Sequence, residues 1–242
     1  MNDRVLLRPF APILAISRMV VAKALRDNGP DRCAVACSWG KDSIAVLALV
    51  REIEPNILVI HSNTGVDHPL TYQFRDRMVK EWSLNYHEAK GERSFWNIVE
   101  QYGMPGIRLK DGERVPKCCQ ILKDDPSEKL YDNLGVKCVF TGITAAESRN
   151  RWMLQRRCGD YYFAKSQGRW KFHPIMDWTE AEVWQYIKGN NLPYNEFYDK
   201  FPGHRVGCQP CTSYLSWKAN MAQENPKLYQ KIQRDLGQEV FL

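Results

Sequence analysis

Apolar positions fall into two rhythms along this chain. The continuous run Cys33 to Cys37, "CAVAC", predicts a buried strand, and Ile44 to Glu54, "IAVLALVREIE", has the recurrence of a helix. Further along, "NILVIHS" predicts a second strand, "HPLTYQFRDRMVKEWS" a helix, "LNYHEA" an extended segment, and "SFWNIVEQYG" a helix stopped by Gly103. Lys137 to Ile143, "KCVFTGI", predicts another strand that leads into "TAAESRNR". This alternation predicts an α/β fold with a mostly parallel twisted sheet flanked by helices. Ligands bind such sheets at the carboxyl ends of strands, so the loops after Cys37, His61 and Thr141 are expected to converge.

The first thirty residues mix charges and apolar groups at helical spacing and read as an amphipathic helix, not a signal peptide. No apolar run approaches the ~20 residues of a membrane span, so a cytoplasmic location away from membranes is expected. From about Gly159 the pattern changes to short extended segments. A helix then begins at Thr179 with Glu182 three residues on, loops are broken by Pro193, Pro202, Gly203, Gly207 and Pro210, and a last amphipathic helix lies in "NPKLYQKIQRDLG". With 242 residues, 44% hydrophobic and 26% charged, the chain is read as one domain over 1–242, with 159–242 as a small C-terminal cysteine-bearing loop and helix region.

Net charge adds little. A value of +6 is compatible with a polyanionic partner, and charge alone favours reading the basic run "ESRNRWMLQRR" from Glu147 to Arg157 as a solvated helix face.

Two local features carry chemistry. In "CSWGKDS" a strand ends in Ser38, Gly40, Lys41, Asp42 and Ser43 before a helix begins. Amides at a helix start, hydroxyls and a lysine suit a pyrophosphate, while Ser38 or Asp42 is also a good helix cap. The longer spacing of a Walker A loop is absent. The second feature is a set of four cysteines: the adjacent Cys118 and Cys119, and Cys208-x-x-Cys211. Neighbouring cysteines do not easily form a disulfide, and in a reducing compartment clustered thiols more often mean metal or redox chemistry than disulfides. Zinc accepts four thiolates, whereas the irons of a cubane let adjacent cysteines diverge to different corners.

The loop after the first strand resembles the PP-loop of the ATP pyrophosphatase superfamily, in its branch related to phosphoadenosine phosphosulfate (PAPS) reductase, with Trp39 in place of the usual second glycine. "HSNTGVDHPLTY" resembles the second motif of that branch. "TGITAAESRNR" resembles its Gly-x-Arg-x-x-Glu-Ser-x-x-Arg motif with Thr144 at the first arginine, and "HPIMDWTEAEVWQYI" resembles its Pro-Ile-x-x-Trp-Thr segment. The resemblance spans about residues 33–211. It implies an adenine nucleotide over the sheet, with Ser38, Trp39, Gly40, Lys41, Asp42 and Ser43 around phosphate. It also places Asn63, Thr64 and Gly65 near the nucleotide, Gly142 in close approach, and Arg149 or Arg151 on phosphate or product charge. Glu147 then serves the nucleotide or orients one of those arginines. Cys118, Cys119, Lys123 and Pro126 resemble the C-C-x-x-x-K-x-x-P motif of adenylylsulfate (APS) reductases and of the adenylating sulfur-transfer proteins of DNA phosphorothioation. This implies a [4Fe–4S] cluster on Cys118, Cys119, Cys208 and Cys211, with Lys123 linking cluster and substrate electrostatically.

The reductases that the chain resembles carry a nucleophilic thiol in a C-terminal tail, and no cysteine follows Cys211 here. Cys33, Cys37 and Cys138 fall in predicted buried strands, and Cys158 lies beside Arg156 and Arg157, which favour a thiolate. The expectation is therefore adenylation: ATP is split with Mg²⁺, AMP activates an acceptor oxygen, and sulfur displaces AMP. The phosphorothioation resemblance implies DNA as acceptor, a cysteine desulfurase as sulfur donor and other modification-system proteins as partners. The alternatives are an APS/PAPS reductase forming sulfite, a tRNA-thiolating enzyme, or a non-catalytic cluster-bearing nucleic-acid-binding module.

Overall fold

The computed structural model describes residues 8–104, 118–212 and 216–236. Six strands, β1 (Cys33–Ala36), β2 (Leu58–Asn63), β3 (Asn85–Lys90), β4 (Cys138–Thr141), β5 (Tyr161–Ala164) and β6 (Arg169–Phe172), form one sheet in the order β3-β2-β1-β4-β6-β5. Every neighbouring pair is parallel except the β5–β6 hairpin. The α/β sheet expected from the alternating pattern is therefore present, with an antiparallel edge strand. Its last two strands come from the segment read as a C-terminal extension.

Period-two alternation divides the core. Cys33, Val35, Cys138, Phe140 and Phe172 face one cluster, while Ala34, Ile60, Ala89 and Val139 face another on the opposite side. The larger cluster is covered by α1 (Phe10–Asn28), α2 (Lys41–Arg51) and α7 (Glu180–Gly189). Helix α2 is apolar on all sides from Ile44 to Val50, because the sheet lies under it and α1 and α7 over it. Each large aliphatic side chain so buried contributes roughly 1.5–3 kcal/mol.

Caps fix several helix ends. Helix α3 (Pro69–Glu81) starts with proline, and His68 Nδ1 accepts from the Leu70 amide at 3.1 Å. Helix α4 (Phe95–Tyr102) has a Ser94/Asn97 capping box and stops at Gly103, whose φ of 79° suits glycine. Thr179 and Glu182 form the capping box of α7, and the Arg8 guanidinium binds Glu182 (2.7 and 2.9 Å) and Asp177 (2.6 Å).

Helix α5 (Asp125–Asn133) buries only Ser127 and Tyr131, and α6 (Arg149–Cys158) buries no residue, the solvated helix face that the basic run offers. A π-helical turn over Gln120–Asp124 joins Cys119 to α5, a departure often found at functional sites. Short α8 (Phe197–Lys200), α9 (Trp217–Glu224) and α10 (Pro226–Leu236) follow α7. No helix among the described residues is long and apolar enough to cross a membrane.

The chain winds outward from β1 to β3 and returns to the other side of β1 to place β4. The junction of β1 and β4 is thus a topological switch point, where loops diverge and leave a crevice.

Candidate functional site

The loop after β1 and the loop after β4 meet at this junction. A Cβ added to Gly142 would lie 2.7 Å from the backbone carbonyl of Asp42 and 2.8 Å from the amide of Ser43. Gly142 therefore lets β4 run directly against the first turn of α2. Neither Ser38 nor Asp42 caps that helix. Gly40 is its N-cap residue without a side-chain bond, and the Lys41 amide donates instead to the Tyr198 hydroxyl at 3.1 Å. Ser43 Oγ donates to the Gly40 carbonyl at 2.9 Å, and Ser38 Oγ lies 3.4 Å from Ser43 Oγ.

Trp39 departs from the usual motif in a specific way. Its φ is 63°, the left-handed region that favours glycine, and its indole is fully buried. Edge contacts with His61 and a tilted contact with Tyr86, both at 6.0 Å, hold the ring, and Asn195 Nδ2 reaches its carbonyl at 3.5 Å. The Lys41 ammonium is buried against Asp42 (2.9 Å) and Glu180 (3.6 Å). Lysine and carboxylates are thus already paired before any ligand charge is added.

The loop after β2 approaches from the other side. Asn63 Oδ1 accepts from the Gly65 amide (2.9 Å) and the Tyr72 hydroxyl (3.2 Å), and Gly65 has φ 77°. The Thr64 hydroxyl lies 3.1 Å from Cys208 Sγ. Glu147 pairs with Arg151 and, at 3.3 Å, with Arg205, so this carboxylate orients arginines. Arg149 is exposed on the first turn of α6. At the end of β4, Thr141 Oγ1 lies 2.7 Å from His173 Nδ1, and burial holds that imidazole at a pKa of about 4.

The two cysteine pairs come together across the fold. Cys118 and Cys208 pack against one apolar cluster that includes Val66, Phe95, Ile98 and Leu122. A backbone bridge between Asp67 and Cys208, and the Gln209 amide bonded to the Val66 carbonyl at 2.9 Å, fasten the second pair to the loop after β2. The thiol of Cys118 is pushed up by its hydrogen bond with Cys119, then by burial and the neighbouring charges of Cys119, Cys208 and Cys211. Cys119 moves the other way through the same bond, helped by Lys123. Burial raises Cys208 to about 12 and Asp67 to about 6, with Lys123 opposing both. Lys123 therefore acts on the cysteine side of the site. These four thiols are the natural soft-metal donor set. Among the described residues no three His, Cys, Asp or Glu side chains are disposed to share a single metal ion.

The profile of the phosphoadenosine phosphosulfate reductase domain matches residues 32–214, more than half of the chain. This protein belongs to the PAPS reductase family. A PAPS reductase of Xanthomonas campestris pv. campestris (strain B100) is 31% identical over 227 residues, covering 90% of this chain and 85% of the relative. Among solved structures, the PAPS reductase of Candida auris in a phosphate complex superposes with a TM-score of 0.62 at 19% identity, over 88% of this chain and all of that one. The U34-tRNA thiolase NcsA of Methanococcus maripaludis, solved with its [4Fe–4S] cluster, gives 0.52 at 17% identity, over 93% and 78% of the two chains.

These relatives overturn the expectation of adenylation for DNA phosphorothioation: the family profile and curated relatives are PAPS reductases. The physical reason lies in the loop. A phosphate–phosphate and a phosphate–sulfate anhydride present the same tetrahedral oxyanions to the amides and cation of Ser38–Ser43, so those residues do not distinguish them.

Sequence reasoning missed Tyr198, Asn195, Arg205 and His173. Each lies far along the chain from the loop it serves, and only the aromatic density of "LPYNEFYDKF" hinted at packing there.

Proposed function

We propose that this protein is a sulfonucleotide reductase, acting on the phosphate–sulfate anhydride of an adenylyl sulfate and releasing sulfite. The observation that carries this reading is the junction of three loops, in which the Ser38–Ser43 turn and the cysteine pairs are joined by the segment from Tyr198 to Cys208. Val206 Cβ lies 3.7 Å from the point where a Gly40 Cβ would stand, and Cys208 meets Thr64. A nucleotide anhydride in the loop would thus lie beside the sulfur-bearing centre.

In the reaction a thiolate of an external dithiol reductant attacks the sulfate sulfur, the sulfur–oxygen bond to phosphate breaks, and the adenosine phosphate leaves. The second thiol of that dithiol then attacks the sulfur-bearing thiol, which releases sulfite and leaves the reductant as a disulfide, so two thiols are oxidised for each sulfate reduced to sulfite. Ser38, Ser43 and the α2 amides bind the anhydride, and Lys41 offsets charge that grows on the departing phosphate. Glu147 fixes the direction of Arg151 and Arg205. Gly142 keeps the crevice narrow.

Cys118, Cys119, Cys208 and Cys211 would hold a [4Fe–4S] cluster: Cys118 and Cys208 share one apolar wall, the charges of Cys119, Cys208 and Cys211 all reach Cys118, and the irons of a cubane let the adjacent Cys118 and Cys119 diverge to different corners. Such a group supplies electron storage and a fixed local charge. Lys123 tunes the thiols on that side.

The test uses protein purified without oxygen. Sulfite is measured from APS and from PAPS with a dithiol reductant, and iron and acid-labile sulfide are measured in the same sample. Sulfite from either nucleotide, lost in Lys41→Ala, supports the reading. Absence of sulfite from both, with folded and iron-loaded protein, overturns it.

A further inference from the structure

The Tyr198 phenol sits where the phosphate loop turns into α2. Its oxygen accepts the Lys41 amide at 3.1 Å and stands 3.1 Å from the position of a Gly40 Cβ. Ser38 Oγ stands 3.7 Å from the same point on the exposed rim of the loop. Phenol, serine hydroxyl and loop glycine therefore share one small volume. Tyr198 uses its oxygen as an acceptor, and among the described residues its own proton meets no acceptor.

The ring is held in place by Trp184 and by the segment that Asn195 anchors. Trp184 meets it edge-on at 5.3 Å and 88°. Asn195, fully buried, accepts from the Phe197 amide at 3.0 Å to start α8, and its Nδ2 reaches the Trp39 carbonyl (3.5 Å) and Thr71 Oγ1 (3.3 Å). The peptide groups on either side of Gly40 are thus both gripped from the 195–198 segment. Burial keeps the phenol neutral well above the ordinary tyrosine range, so it carries its proton at any working pH.

We propose that Tyr198 is an anion-binding residue of the loop: it takes the Lys41 amide proton on its oxygen and donates its own proton to a ligand oxyanion held at Ser38–Ser43. The α2 amide polarises the phenol, so the two bonds reinforce one another. This assignment rests on the sulfonucleotide reading only for the identity of the oxyanion, and the same donor would serve any pyrophosphate-like group.

Calorimetric titration of the full-length, anaerobically purified protein with inorganic pyrophosphate and with APS tests it. Tyr198→Phe keeps the ring and removes the proton. A hydrogen bond to a charged group predicts roughly tenfold or greater weakening for both ligands, in a protein that still folds although the Lys41 amide has lost its acceptor. Unchanged affinity in a folded Tyr198→Phe protein would overturn the assignment and leave the phenol as a helix cap. If that variant does not fold, 3-fluorotyrosine at position 198 gives the same test with the shape retained. Measured below neutral pH, where the ring stays protonated, the stronger donor tightens pyrophosphate binding, and unchanged or weaker binding overturns the proposal. Pyrophosphate affinity is read without any turnover, so a protein that makes no sulfite yet loses pyrophosphate affinity in Tyr198→Phe refutes the reductase reading and keeps this one.

Discussion

The hydroxyl of Thr64 lies 3.1 Å from the thiol of Cys208, a contact that spans 144 residues of sequence. With the Asp67–Cys208 bridge and the Gln209–Val66 backbone bond, it joins the loop after β2 to the second cysteine pair. The loop after β2 and the second cysteine pair are therefore one mechanical unit.

Thr64→Val keeps the side-chain shape and removes the bond that holds the Cys208 pKa down against burial. In metal-free protein at about pH 9, alkylation of Cys208 should slow several-fold, since the thiolate is the reactive form. Labelling of Cys158 on α6 should be unchanged. Mass spectrometry of the alkylated peptides reads both, and equal rates at Cys208 in the two proteins would refute the claim.

Gly142→Ala forces a Cβ to within 2.7 Å of the Asp42 backbone. Backbone cannot rotate aside as a side chain can, so either β4 or the start of α2 must shift. A loss of about 1–3 kcal/mol is expected from such overpacking. Urea midpoints measure it, and pyrophosphate affinity should fall with it, because the distortion lies in the phosphate loop.

Arg169 on β6 is 2% exposed and binds Asp132 (2.8 Å), the Val136 carbonyl (2.9 Å) and Glu128, over the ring of Tyr131. Arg169→Met fills the space yet leaves the Val136 carbonyl without its donor and Glu128 with Lys171 at 3.5 Å, while the exposed Asp132 returns to water. Loss of the donor to a buried acceptor costs about 1–3 kcal/mol. Arg169→Lys should recover little, since one ammonium cannot reproduce the guanidinium fork. Chemical denaturation of both variants checks the order.

His173 has a pKa near 4 in the folded protein against an ordinary 6.5, first from burial and then from the charges of Lys171 and Arg151. Between those values the unfolded chain binds a proton that the folded one does not. Stability is thus full above pH 6.5 and falls as pH drops toward 4, by roughly 3 kcal/mol from this group. His173→Asn should flatten that part of the curve. Denaturation midpoints from pH 7 to 4.5 in the two proteins give the answer, and parallel slopes would remove His173 as the cause.

How far the sequence reveals the fold depends on how each element is stabilised. Strands β1, β2 and β4 and helix α2 are apolar because both faces are covered, and their runs read clearly. The capping pair Thr179/Glu182 and the stop at Gly103 read clearly too, since local hydrogen bonds need local residue types. Helix α6 buries no side chain, and α5 buries two, so neither imposes a period on its residues. The cysteine pairs were legible because shared sulfur chemistry links them across 90 positions. Asn195 and Tyr198 were not, because an asparagine and a tyrosine carry no mark of the distant backbone they hold. The reaction was least legible, since a loop that grips oxyanions has no means to declare whether phosphorus or sulfur lies at their centre.

Trp39 gives the phosphate loop a property that a glycine there would lack. Glycine would relieve the left-handed backbone, but it would leave a void the size of an indole between His61 and Tyr86, at a cost on the scale of about 3–5 kcal/mol for removal of a buried aromatic. The turn cannot drift toward a softer sequence through single substitutions without first hollowing out its own foundation. Its shape is inherited from the interior, and changes deep under β2 and β3 would be felt at the anion before they were felt in the sheet.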